Sequence, residues 1–128
     1  MAKIQLESND FQENVHTTFV ALRQDIDFTD VTLACEDDHQ VEAHKVILAA
    51  SSPFFRNMLK RNKHAHPLIY MRGIKLEDLE AIVDFLYYGE ANIYHENLET
   101  FLHIAEELDL KGLNQTKVTS SESTYQDY

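Results

Sequence analysis

The sequence predicts an α+β fold, a small β-sheet covered by a cluster of α-helices. Residues 31–35 alternate, with Val31, Leu33 and Cys35 set against Thr32 and Ala34, which is the period-two pattern of a strand. Three other segments space apolar residues at three and four and so draw one stripe along a helix. They are Phe11, Val15, Phe19, Leu22 and Ile26; Leu76, Leu79, Val83 and Leu86; and Leu98, Phe101, Leu102, Ala105 and Leu108. A small strand group followed and covered by several helices is an α+β layout. With three glycines and two prolines in 128 residues, little of the chain is broken by punctuation.

The elements follow in order. Ile4 and Leu6 alternate with polar neighbours and read as an edge strand. A helix opens at Asp10 and carries the first stripe to Ile26. After the strand at 31–35, Asp37 and Asp38 supply turn chemistry, and Val41 and Ala43 continue into a second strand. Val46 to Ala50 is apolar nearly all round, which predicts a central, buried helix. Ser52 followed by Pro53 reads as an N-cap with proline at the first helical position, opening a short helix with Phe54, Phe55, Met58 and Leu59. Residues 60–66 read as a polar loop ended by Pro67, and Leu68 to Met71 as a short buried strand. Ile82 and Phe85 widen the stripe of the next helix, and Gly89 is its C-terminal stop. Ala91 to Ile93 reads as a small edge strand, and Leu110 and Leu113 flank Gly112 in a last turn after the closing helix. From Asn114 the chain is polar and rich in serine and threonine, the composition of a disordered tail or linker. One domain over 1–113 and a tail over 114–128 are therefore expected.

Composition narrows function. A formal net charge of −11 repels a phosphate backbone, so no direct nucleic-acid contact is expected. No run approaches the roughly 18 apolar residues of a membrane span, and the N-terminus lacks the apolar core of a signal peptide. A single cysteine, Cys35, makes no internal disulfide and fits a reducing, intracellular compartment. It falls on the apolar side of its strand, as inert core.

Chemistry-bearing constellations are thin. Of His44, His64, His66, His95 and His103 only His64 and His66 are close in sequence, and no cysteine or carboxylate cluster has zinc spacing, so no metal is expected. Ser51 and Ser52 can be strung with His44 and Asp30 into a triad, but no nucleophile elbow or oxyanion-hole glycine accompanies them, and capping is the better use of the serines. No glycine loop cradles a phosphate. Neither an enzyme nor a cofactor is indicated. Asp30, His44 and Lys45 are polar residues set in apolar runs and need partners when buried. Asp30 and Lys45 either pair with each other or bond singly to backbone.

Asp30-Val31, Ala43-His44-Lys45-Val46, Leu48-Ala49-Ala50-Ser51-Ser52 and Phe54-Phe55, in that order, resemble the opening of a BTB/POZ domain. Gly73, the segment Leu79 to Glu90 and the segment Leu98 to Leu113 resemble that family's later helices, so the resemblance covers about residues 4–113. His66 to Met71 and the helix ending Leu86-Tyr87-Tyr88-Gly89-Glu90 are most similar to the Tramtrack/Bric-a-brac group of transcription factors.

The resemblance implies a homodimerising protein-interaction domain of a nuclear transcription regulator that recruits corepressor or chromatin proteins. It places Ile4 and Leu6 on a strand exchanged with the partner subunit. Phe11, Val15, Phe19 and Leu22 become the helix face packed on that partner, and Val46 and Ala49 lie near the two-fold axis. Asp30 and Lys45 match a charged pair at the floor of a groove. The chain reads Glu7-Ser8-Asn9 where many of the group carry an arginine-tryptophan pair, so assembly into higher oligomers is not implied. Ala21 and Asp25 stand where well-known corepressor binders are basic, which sets the same corepressor peptides aside. The alternative is a cytoplasmic substrate adaptor of a cullin-based ubiquitin ligase. Such adaptors carry a hydrophobic-X-Glu motif where this chain has Met58-Leu59-Lys60-Arg61.

The charge balance gives a direct expectation. Residues 1–128 should show no salt-dependent micromolar affinity for duplex DNA in a fluorescence anisotropy titration, because −11 opposes the counterion-release contribution. Binding of that kind would contradict the reading.

Overall fold

Val31, Leu33 and Cys35 are almost completely inaccessible to solvent and place the first strand at the centre of the molecule. In the computed structural model, which describes residues 1–113, this strand is β1 (Val31–Cys35). It is flanked by β2 (Gln40–Ala43) and β3 (Leu68–Met71) in the order β2-β1-β3. β1 and β2 form an antiparallel hairpin with Val31 opposite Ala43 and Leu33 opposite Val41. Its turn passes through Asp38 at φ 69°, a left-handed conformation that aspartate tolerates better than most residues. β1 and β3 are parallel, with Leu33 opposite Ile69 and Cys35 opposite Met71. Parallel neighbours need a long crossover, and two helices supply it, α2 (Lys45–Ser51) and α3 (Pro53–Arg61). Among the described residues, α1 (Phe11–Leu22) comes before the sheet, and α4 (Leu76–Tyr88), a 3₁₀ turn at His95–Asn97 and α5 (Leu98–Glu107) follow it. The fold class is the α+β arrangement expected, and α4 and α5 complete the core with Leu79, Ile82, Val83, Phe101 and Ile104.

Several local expectations are corrected. Residues 1–8 and 91–93 form no strand. Alternation makes a strand only where it pairs with a strand edge, and neither segment pairs with the edges that β2 and β3 offer. α1 ends at Leu22, so Ile26 falls outside it and is 69% exposed. The helix tightens after Ala21 into three-residue hydrogen bonds, Gln24 N–H to the Ala21 carbonyl (3.3 Å) and Asp25 N–H to Leu22 (3.0 Å), which turn the stripe away. α2 is not buried all round. Leu48 is its buried residue, while Val46 and Ala50 face out, because the helix packs on α3 and α4 from one side. α3 continues through Lys60 and Arg61, which were expected in the following loop; both are good helix formers and suit a last turn. β3 is an edge strand, with Ile69 and Met71 buried and Leu68 and Tyr70 open. β1 is buried on both faces, since the Thr32 hydroxyl lies under Glu42 (3.0 Å) and His66 Nε2 (2.9 Å). The tail expected over 114–128 lies outside the described residues.

The Ser52-Pro53 signal is realised. The Ser52 side chain accepts the Phe55 N–H (3.1 Å), and Pro53 opens α3. Ser52 is also fully buried, and its hydroxyl donates to the Leu108 carbonyl at the end of α5 (2.7 Å). The Lys111 N–H reaches the neighbouring Ser51 carbonyl (2.9 Å). The α2–α3 junction thus holds the end of α5 and the turn that follows it. Ser52→Ala removes a cap and strands a buried carbonyl, and should cost about 1–3 kcal/mol, read as a lower urea midpoint at unchanged slope. An unchanged midpoint would show that neither bond contributes.

Candidate interaction surfaces

α1 is held on one side only. Arg23, just beyond its last residue, reaches α4 with Nη1 at 2.7 Å from Asp84 Oδ1. The guanidinium also lies over two rings, 5.1 Å from the centroid of Tyr87 and 5.6 Å from that of Tyr88. His16 meets Tyr88 edge-on at 6.4 Å. An Arg stacked on aromatic faces while paired to a carboxylate uses both of its binding modes. Sequence reading missed this anchor, and the adjacent Tyr87-Tyr88 pair at a helix end was the available signal.

The apolar stripe of α1 lies to the side of that anchor. No residue of the helix is buried: Phe11 is 61% and Val15 36% exposed, while Phe19 and Leu22 are half-buried. Ile4 and Leu6 ahead of the helix are almost fully exposed, and Val46 on α2 is 62% exposed with Ala49 half-buried. The residues expected at an interface are therefore largely open in the single chain.

Asp30 and Lys45 do meet, but through the main chain. The Asp30 carboxylate accepts the Lys45 backbone N–H (2.7 Å), which caps the start of α2, and the Lys45 ammonium instead donates to the His64 carbonyl (2.8 Å). Of the two arrangements open to the sequence, the structure takes backbone bonding. His44 is buried beside them. Its N–H donates to the Tyr87 hydroxyl (3.0 Å), which also bonds its Nδ1, and burial pushes the Tyr87 phenol upward.

The residues considered for catalysis are committed elsewhere. Ser52 bonds Leu108 and Phe55, His44 bonds Tyr87, and Asp30 bonds Lys45. Among the described residues no three His, Cys, Asp or Glu side chains are grouped to hold a metal, and no helix is long and apolar enough to cross a membrane. Cys35 is buried, and its thiol donates to Asp37 Oδ1 (3.0 Å). Burial and that hydrogen bond raise its pKa, so it is a weak nucleophile. Asp37 is lowered in turn by the Cys35 bond and by the Leu76 N–H at the first residue of α4 (3.2 Å).

Comparison with known proteins agrees with this architecture. The family model described as "BTB/POZ domain" matches residues 19–123. Among curated proteins of Drosophila melanogaster, the chain is 45% identical over 108 residues to Protein abrupt, covering 84% of this chain and 12% of that protein. It is 41% identical over 118 residues to the Broad-complex core protein isoforms 1/2/3/4/5, covering 92% of this chain and 16% of that protein. With the Longitudinals lacking protein-like it shares 45% over 111 residues, 87% of each. The chain thus spans a small part of the first two relatives. Solved structures of similar fold include the BTB domain of zebrafish PATZ1, with TM-score 0.72 at 21% identity over 84% of this chain and 88% of that one. The BTB domain of human gigaxonin superposes with TM-score 0.68 at 20% identity and the same coverage. With its central parallel-antiparallel sheet, its capped helices and relatives of this identity, the chain belongs to the BTB/POZ domain family.

Proposed function

We propose that this chain is the self-associating, partner-recruiting domain of a nuclear transcription regulator. The observation that carries the proposal is α1, a helix of 12 residues that buries none of them. An isolated helix shorter than ~12–15 residues is marginal in water. This one also lacks a side-chain N-cap bond, its cap residue Asp10 being left-handed at φ 54°. Its ties to α4 engage His16 and Arg23 and leave Phe11 and Val15 in water.

A second copy covers the stripe and supplies what is missing. Phe11, Val15, Phe19 and Leu22 pack on the partner, with Val46 and Ala49 beside them, and Ile4 and Leu6 find a strand edge on the other subunit. Asp30 and Lys45 shape the floor of the groove by fixing the start of α2 and the loop at His64. The likeness to abrupt, Broad-complex, bric-a-brac and tramtrack proteins supports a transcriptional setting in the nucleus, with corepressor or chromatin proteins as partners. The net charge of −11 leaves DNA contact to another part of the protein.

Light scattering of residues 1–128 at micromolar concentration should give at least twice the 14.9 kDa chain mass; a folded monomer there would sink the proposal. Phe19→Asp places a charge in the apolar interface at a cost of several kcal/mol if unpaired. The variant should lose the dimer mass and melt lower, whereas unchanged mass and melting temperature would put this face in solvent.

A further inference from the structure

The charge of the chain is segregated. None of its 22 acidic residues lies between Ala43 and Leu76, and this stretch holds seven of its 11 lysines and arginines. Within an acidic molecule it forms a cationic block, and its densest part is Arg56, Lys60, Arg61 and Lys63 on and just after α3. Lys60, Arg61 and Lys63 are exposed, and none makes an ion pair among the described residues.

The same helix leaves an aromatic ring open. Phe54 is 39% exposed although its neighbour Phe55 is fully buried. The two rings meet edge-on at 5.6 Å, so the open ring is braced by the core. Phe54, Asn57, Met58 and Arg61 fall at i, i+3, i+4 and i+7, one face of α3. With Asn62 and Lys63 they line a groove of about 560 Å³. Its apolar end is Phe54 and Met58, and its cationic end is Arg61 and Lys63. Cations in a last helical turn complement the helix dipole, but that role accounts for Lys60 and Arg61 alone. It leaves Lys63, beyond the helix, and the exposed Phe54 unexplained.

We propose that this α3 groove docks an acidic segment of a partner protein, with an apolar side chain of the partner seated on Phe54 and Met58 and its carboxylates on Arg61 and Lys63. Charge complementarity selects the occupant. Unpaired cations beside an apolar anchor suit a peptide that carries both features, and steering by opposite charge raises its on-rate. A nucleic acid meets only a short cationic strip on a molecule of net charge −11. The groove deepens the reading of this domain as an interaction module by naming a partner chemistry. It rests on that reading only in requiring a partner, since none of its lining residues belongs to α1.

The test is fluorescence anisotropy on residues 1–128. The probes are a labelled synthetic peptide of glutamates and aspartates around a leucine-tryptophan pair, the same peptide with glutamines and asparagines, and a duplex DNA. The acidic peptide should bind, more weakly as salt rises. Arg61→Glu with Lys63→Glu should weaken it roughly tenfold or more, Phe54→Ala should weaken it severalfold, and the neutral peptide should bind less well. Arg61→Gln with Lys63→Gln gives the same reading, weaker binding, should the reversal variant not fold. Failure of the unmodified protein to bind, equal binding by the charge variants, or preference for the DNA overturns the proposal. Light scattering on the same samples separates the two readings. Dimer mass without peptide binding overturns the groove alone, and peptide binding by a monomer overturns self-association alone.

Discussion

Strand β1 and the two aspartates that bracket it are the constraint on which the rest of the domain is built. Asp30, just before the strand, accepts the N–H of Lys45, the first residue of α2. Asp37, just after it, accepts the N–H of Leu76, the first residue of α4. Each carboxylate satisfies a helix N-terminal donor that would otherwise go unpaired, and each places negative charge where the helix dipole favours it. Two helices distant in sequence are therefore aimed from opposite ends of one buried strand. The Tyr87 hydroxyl closes the triangle by joining the far end of α4 to His44 at the start of α2. This accounts for the polar residues embedded in the apolar run from residue 30 to 50, whose roles are geometric.

The frame built on β1 is well buried, and α1 stands apart from it. The core draws on all three strands and on α2 to α5, and its buried residues include none from α1. What fastens α1 is mostly polar, an arginine laid across two tyrosine rings and paired to Asp84. Such contacts set orientation more than they supply free energy, since Asp84 is partly in water and exposed ion pairs are worth little. Burial of the apolar stripe is the remaining source of stability for this helix, and a second copy of the chain is the proposed means. The α3 groove lies on a different helix, so the proposed self-association and the proposed partner docking can be tested separately.

Much of the fold is legible in the sequence where the signal is local. Alternation marks β1, Ser52-Pro53 marks the α2–α3 junction, and Gly89, at φ 81°, stops α4 where a left-handed residue is required. Long-range partners are not legible. Nothing in the spacing of residues says that Asp37 caps a helix 39 positions later, that Arg23 will find Asp84, or that the Asp30 and Lys45 pairing will use a main-chain N–H. The alternation at 4–6 and 91–93 also misleads sequence reading, because a strand is a property of a pair and neither segment pairs in the structure. The stripe of α1 shows the same gap in another form. A 3.6-residue period is identical for a helix that covers its own core and for one that leaves its stripe open, and only the folded chain shows that α1 is of the second kind.

The central claim is that the Phe11/Val15 face of α1 is covered by a second copy of this chain. Isotope-filtered NMR on a sample refolded from labelled and unlabelled protein tests it most directly. The account predicts nuclear Overhauser cross-peaks from the methyl groups of labelled Val15 to protons of the unlabelled copy. A well-folded sample at high concentration whose Val15 methyl groups show cross-peaks only within their own chain would contradict it.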